Sequence, residues 1–323
     1  MKLDKTKIII FSVKLLIAFT IGAVVIYNID AIKLKYIVRS ADISFIILAA
    51  ALLPLNLYLQ FVKWKYLIDK TASEKTPPAQ IWISVILGVT FGFITPGRVG
   101  ELGKLFVIRN ADRFKLLSMS IIEKIYDTFP VIFFGMLSIP FLPHLFFTGS
   151  PMMRANMSAF AILVAVITYF VAIHPGLFRT VLNYFKNNIF KNNLKFSRFC
   201  DGLHGFKKNN SKILLLMSSC LFIVYTTQFV LLVMSFGDIE VFPAFIGVWS
   251  AILLKTFLPF SLGDIGIREG TAAYIFTLFA FPAEAAVSAA FLLFIINILI
   301  PSAVGVFFIP FAIRNGRPGI KNS

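Results

Sequence analysis

Six long apolar runs divide the chain, at about 8–27, 43–62, 116–142, 156–173, 213–236 and 285–311. Each has a length in or near the ~17–25 residues that carry an α-helix across a hydrocarbon core. Two further segments, 81–110 and 244–281, begin apolar, break at a polar stretch rich in Gly and Pro, and resume. The breaks read FITPGRVGELGK at 93–104 and LPFSLGDIGIREG at 258–270. Irregular backbone at membrane depth is tolerated only where protein or a water-filled cavity satisfies its polar groups. Each broken segment is therefore either a re-entrant hairpin or an ordinary loop between two spans.

Composition fixes the class. Of 323 residues, 58% are apolar and 14% charged, and the mean hydropathy is +0.86. Soluble domains are ~45–50% apolar and ~25% charged. A soluble enzyme, a disordered tail and a disulfide scaffold are thereby excluded. The expectation is an all-α polytopic membrane protein forming one transmembrane domain over 1–323. It has about six full spans plus two broken-helix hairpins. Lys2, Lys5 and Lys7 precede the first run, as in a signal peptide. No small-residue cleavage site follows closely, so the run reads as a retained helix, with Lys14 snorkelling to the interface.

The net charge of +16 belongs to basic cytoplasmic loops rather than to a nucleic-acid surface. With both hairpins re-entrant and the N-terminus inside, the inside segments hold 23 Lys and Arg. Three precede the first run, four lie over 63–75, five over 98–115, eight over 174–212 and three after 311. The outside loops hold four: Lys33, Lys35, Arg39 and Arg154. Were 81–97 to cross instead, the eight charges of 174–212 would move outside, so the six-span arrangement is preferred. It places both termini in the cytoplasm and the protein in the cell (inner or plasma) membrane.

In this arrangement the hairpins enter from opposite faces, one within a half-repeat at 43–142 and one within a half-repeat at 213–311. Thr95-Pro96-Gly97-Arg98-Val99-Gly100 aligns with Ser261-Leu262-Gly263-Asp264-Ile265-Gly266 at an offset of 166, and Phe91 aligns with Phe257. An inverted repeat with broken helices is a transporter design, with the substrate site at the breaks. The alternative is that the breaks are packing kinks. Between the halves, Leu177, Phe178, Val181, Leu182 and Phe185 recur at helical spacing within the basic stretch 174–212. That stretch reads either as an amphipathic helix on anionic inner-leaflet lipids or as a plain basic linker.

Candidate chemistry is confined to charge. Cys200 and Cys220 lie in unlike surroundings and do not suggest a disulfide, and His144, His174 and His204 have no metal-ligand spacing. No nucleotide loop, nucleophile elbow, metal site or cofactor motif is present, so the protein is not expected to be an enzyme. Ionisable residues inside a bilayer cost ~2.5–3.5 kcal/mol each on insertion scales and point to function. The first break carries Arg98, Glu101 and Lys104; the helix after it carries Glu123, Lys124 and Asp127; the second hairpin carries Lys255, Asp264, Arg268 and Glu269. Glu123 and Asp127 share a helix face. The acids either neutralise the arginines or hold a headgroup amine or coupling protons. Gly97, Gly100, Gly263 and Gly266 permit close backbone approach and expose N–H groups, half-helix N-termini add positive potential, and arginine binds phosphate in bidentate fashion. The candidate ligand is a phospholipid headgroup, held by Arg98, Gly97, Gly100, Glu101, Lys104, Glu123, Asp127, Gly263, Asp264, Gly266, Arg268 and Glu269. A homo-oligomer is left open.

The motifs T-P-G-R-V-G-E at 95–101, E-K-x-x-D at 123–127 and S-x-G-x-x-G-x-R-E at 261–269 resemble those of the lysylphosphatidylglycerol synthase transmembrane-region family. This is the flippase-like domain of bacterial multiple-peptide-resistance factors, also found as stand-alone membrane proteins. The resemblance covers nearly the whole chain. It implies a helical membrane domain that moves lipids, such as aminoacylated phosphatidylglycerol, between leaflets, with Arg98, Glu101, Glu123, Asp127, Arg268 and Glu269 at motif positions. Two positions depart from it: Lys124 stands where the family often has Arg, and Asp264 where it often has a second Gly. Only residues 312–323 follow the last run, so lipid aminoacylation by this chain is not expected. The expected function is a flippase-like lipid transporter. The alternative is a lipid-binding accessory subunit of envelope lipid or glycan synthesis that moves nothing.

Overall fold

The structure is a computed structural model that describes residues 41–70, 75–95, 98–108, 111–142, 150–176, 180, 208–258 and 266–310. The predicted run 8–27, Gly97, Gly263, Asp264, Cys200 and most of 174–212 lie outside those residues. Every element among the described residues is helical. In chain order they are α1 (Ile43–Ala51), α2 (Leu53–Ile68), α3 (Pro78–Ile94), a 3-10 helix (Val99–Val107) and α4 (Arg113–Ser138). Then follow α5 (Pro151–Ile173), α6 (Lys208–Ser235), α7 (Val241–Thr256), α8 (Ile267–Thr277), α9 (Ala283–Phe294) and α10 (Ile300–Val306).

Four stretches are long and apolar enough to cross a membrane: Ile43–Ile68, Pro151–Ile173, Lys208–Ser235 and Ala283–Val306. They correspond to four of the six predicted runs. α4, at 26 residues, has the length, but Glu123, Lys124 and Asp127 make it polar. Its α-helix ends at Ser138 and continues as one 3-10 turn to Phe141, close to the predicted 142. α6 is described from Lys208, before the predicted 213, and Ser211 and Leu214 within it are buried.

α5 shows how an apolar helix is oriented without an aqueous driving force. Ala161, Ala165, Thr168 and Ala172 form its buried stripe, small residues that let backbones approach closely. The stripe packs on α4, where the Tyr126 hydroxyl donates to the Ala172 carbonyl at 3.1 Å. Phe160, Leu163, Ile167 and Phe170 point outward, as lipid-facing side chains do.

The first broken segment closes as a hairpin. α3 runs antiparallel to the 3-10 helix, with the Gln80 amide donating to the Val107 carbonyl at 2.7 Å and the Ser84 hydroxyl to the Lys104 carbonyl at 2.8 Å. α7 and α8 form the second packed pair, with Gly247 seated against the Phe276 ring.

Each of these packed pairs is also covered by another helix. α7, the first arm of the second pair, packs on α4, which follows the first hairpin: Gly135 lies against Leu253, and the Ser138 and Ser250 hydroxyls are 2.7 Å apart. α3, the first arm of the first hairpin, packs on α10, where Thr90 lies against Gly305. Between α2 and α6, the Asn56 amide donates to Gln228 at 3.2 Å, and Gln228 donates to the Ala49 carbonyl at 3.0 Å. The long helical stretch Ala283–Val306 contains a π-turn at Ile295–Leu299. Pro301 has no N–H for the Asn297 carbonyl, and the turn before it widens.

Candidate functional site

The 3-10 conformation assembles the first charged face. With three residues per turn, side chains at i, i+3 and i+6 eclipse one another. Glu101 and Lys104 have that spacing within the helix, and with Arg98, the residue just before it, they line one cavity with Lys63 of α2 and with Glu123, Lys124 and Asp127 of α4. The cavity holds about 170 Å³. That is below the ~300–1,000 Å³ of pockets enclosing drug-sized ligands.

The charges form two ion-pair clusters on one cavity, one centred on Glu101 and one on Lys63 and Glu123. Arg98 Nε lies 2.6 Å from Glu101 Oε1, and Lys124 contacts Glu101 Oε2. Lys104 Nζ bonds Glu123 Oε2. Lys63 Nζ lies 3.7 Å from Glu123 Oε1 and 2.5 Å from Asp127 Oδ1, which also accepts from the Ser218 hydroxyl at 2.8 Å. Lys63, Glu101, Lys104 and Glu123 are buried, Lys63 at 1% exposure. Charges this deep persist only when paired. Lys104 is further fixed by its ammonium, 3.9 Å from the Trp64 ring centre, where the ring face attracts a cation. The side chains of Lys124 and Arg98 are 51% and 32% exposed, the most open of the cavity's cations.

Two features of the turn hold this geometry. Gly100 sits where a Cβ would stand 2.0 Å from the Phe91 carbonyl oxygen, so no other residue lets the hairpin arms approach this closely. Its N–H donates to the Thr95 hydroxyl at 2.6 Å, which engages it within the turn. Arg98 adopts the left-handed conformation at φ 56°, which costs about 1–2 kcal/mol in a residue with a Cβ. Neighbouring turn bonds, Arg98 N–H to Thr95 O and Glu101 N–H to Arg98 O, both 3.1 Å, impose it.

The second break is organised differently. Gly266 has φ 85°, a conformation open to glycine, and its N–H donates to Glu269 Oε2 at 2.7 Å. Glu269 thereby caps the N-terminus of α8. Arg268 Nη2 lies 3.3 Å from Glu269 Oε1, and its guanidinium lies 5.3 Å from the Phe294 ring centre. Both residues are buried, and neither lines the charged cavity. Phe294 packs on Phe93 of α3 at 5.7 Å between ring centres, so the second break touches the first hairpin through two aromatic rings. Glu269→Ala should lower stability by about 1 kcal/mol through loss of the cap alone, whereas Glu269→Gln, which still accepts from Gly266, should lower it less. Thermal unfolding of the two variants in detergent compares them.

Lys63 is the site residue that the sequence reading passed over, grouped there with the cytoplasmic loop charges. Its signal was present: Phe61, Trp64, Leu67 and Ile68 continue the buried helical pattern through it. Gln60 and Ser218 also join the site.

A long-helix fold around a buried ion-pair network defines a multi-pass membrane protein. Residues 11–305 match the family described as lysylphosphatidylglycerol synthase TM region, and the chain belongs to that family. No curated protein and no solved structure matches it.

Proposed function

We propose that this protein moves a phospholipid between leaflets, with the headgroup held in the charged cavity beside the first hairpin. One observation carries the reading: four cations and three carboxylates converge on a headgroup-sized cavity inside a membrane domain. Family membership supports a lipid ligand. An apolar groove of about 620 Å³, lined by Phe91, Val99, Leu102, Phe106, Phe114 and Leu117, takes in the other faces of the 3-10 helix and offers room for an acyl chain. In this reading both hairpins are re-entrant and enter from opposite sides, the halves form an inverted repeat, and the termini are cytoplasmic. The protein works without a cofactor and catalyses no covalent chemistry.

The small cavity also favours a second reading, in which lipid is bound and not moved. Reconstitution into liposomes containing tail-labelled fluorescent phospholipid separates the two. A flippase shrinks the pool protected from an impermeant quencher. A folded protein that binds lipid and leaves that pool unchanged is the accessory subunit.

Topology has its own test. Cysteines at Ser150 and Asp238 should react with an impermeant maleimide added outside intact cells, and native Cys200 should not. Labelling of Cys200 would sink the arrangement with opposed re-entrant hairpins.

A further inference from the structure

We infer that the seam between α2 and α6 is the route by which the headgroup leaves the charged cavity for the opposite leaflet, an inference of path that rests on the lipid-moving reading above. A chain of side-chain amides lines the seam. Gln60 borders the charged cavity. Its amide donates to Asn56 Oδ1 at 2.7 Å, Asn56 donates to Gln228 Oε1 at 3.2 Å, and Gln228 donates to the Ala49 carbonyl at 3.0 Å. Lys63, Gln60, Asn56 and Ala49 follow one another at helical spacings of three, four and seven residues within the apolar stretch Ile43–Ile68, so they share one face. From Lys63 to Ala49 that face extends about 21 Å at ~1.5 Å per residue, most of a ~30 Å hydrocarbon core.

α6 follows the same course in the opposite direction. Its Ser218 meets Asp127 beside Lys63, its Gln228 meets Asn56, and its Ser235 carbonyl accepts from the Asp42 N–H at 2.8 Å, just ahead of α1. Polar contacts thus accompany these helices from the charged cavity to the far end of the stretch.

Two observations set the seam apart from simple adhesion between membrane helices. The first is its place in the packing. α2 contributes Phe61, Trp64, Leu67 and Ile68 to one buried apolar cluster, whereas the middle of α6 contributes Phe222, Phe229, Val230 and Val233 to another. The Asn56–Gln228 bond joins the two. Separation of α2 from α6 at this level exchanges hydrogen bonds and leaves most of each cluster packed. The second is chemical. An amide both donates and accepts, so it serves a phosphate oxygen and a headgroup ammonium alike. Passage along a path requires sites that bind well enough to be entered and weakly enough to be left. Neutral amides beyond a charged cavity meet that requirement, because they hold a headgroup less tightly than the ions they follow.

The test reconstitutes the full-length protein in liposomes with tail-labelled phosphatidylglycerol or phosphatidylethanolamine and follows the pool protected from an impermeant quencher. Asn56→Leu combined with Gln228→Leu removes both partners of one buried bond, so neither strands the other. The Ala49 carbonyl keeps the Leu52 N–H at 3.3 Å, and Gln60 is half-buried at the cavity, where water replaces Asn56. This variant should melt near wild type and move lipid at least tenfold more slowly. Ser138→Ala combined with Ser250→Ala removes a buried hydroxyl pair between α4 and α7 and should leave lipid movement within twofold of wild type. Undiminished movement by a stable double-leucine variant overturns the route, as does equal slowing by the double-alanine control. Where the leucine variant does not fold, thiol reactivity decides. In a protein with Cys200 and Cys220 replaced by serine, Asn56→Cys should react with a small water-soluble methanethiosulfonate. Asn56 is 3% exposed, so reaction there reports opening of the seam, and complete protection overturns the route. The two readings fail distinguishably. If the wild-type protein moves neither lipid, the lipid-moving reading fails and takes the route with it. If the wild type moves lipid and the stable leucine variant keeps pace, only the route fails.

Discussion

Replacing Lys63 with methionine should remove most of the folded protein. Lys63 is 1% exposed and is shared by two carboxylates, Asp127 at 2.5 Å and Glu123 at 3.7 Å. Methionine matches its length but carries no charge. Glu123 retains Lys104, whereas Asp127 would keep only the Ser218 hydroxyl among its hydrogen-bond partners. Breaking a buried pair by removing one partner costs about 3–5 kcal/mol, a large share of the ~5–15 kcal/mol that holds a typical domain folded. Adding Asp127→Asn should restore most of the loss, because the amide still accepts from Ser218 and no charge is left behind. Lys65→Met, at an exposed position two residues on, should change nothing. Monodisperse yield and thermal unfolding of the four proteins, wild type included, decide the matter. Wild-type stability of Lys63→Met would show that the network does not hold the helices together.

The second large effect is on activity rather than folding. Arg98→Ala should slow lipid movement by about tenfold or more, since a hydrogen bond to a charged group is worth ~1.5–3 kcal/mol and each 1.4 kcal/mol is about a factor of ten. Stability should stay near wild type. Glu101 keeps Lys124, and the Arg98 side chain is already one-third exposed. Arg98→Lys should recover activity only partly, because a single ammonium lacks the fork. The left-handed backbone adds an internal control. At φ 56°, alanine retains the strain and glycine relieves it. Arg98→Gly should therefore be as slow as Arg98→Ala and measurably more stable. A stable Arg98→Ala protein with undiminished lipid movement would refute a headgroup role for this arginine.

Two interfaces tie the packed pairs to the long helices. α7 rests on α4 through Gly135 and Leu253 and through the Phe134 and Trp249 rings, 5.0 Å apart, and α3 rests on α10 through Thr90 and Gly305. The π-turn at Ile295–Leu299 lies beside Phe294, the ring that joins Arg268 to Phe93.

The sequence by itself determined the helical class, the position of most helices and the place of both breaks. These follow from local quantities: a run of apolar residues of spanning length forms a helix because its backbone has no other hydrogen-bond partner in hydrocarbon. It also marked Arg98, Glu101, Lys104, Glu123 and Asp127 as charges out of place, and the family from its motifs. Only the tertiary structure decided which charges meet. Lys63 and Asp127 lie far apart in the chain, and their ion pair exists because α2 and α4 flank the same hairpin. Arg98, Glu101 and Lys104 come to one cavity with α2 and α4 because Gly100 lets the 3-10 helix lie against Phe91 across the hairpin. Glu269, equivalent by motif to a binding acid, is a helix cap because the Gly266 N–H points at it. Charge and hydropathy are properties of a residue and its chain neighbours, whereas a binding site is a property of distances between helices, which packing alone sets.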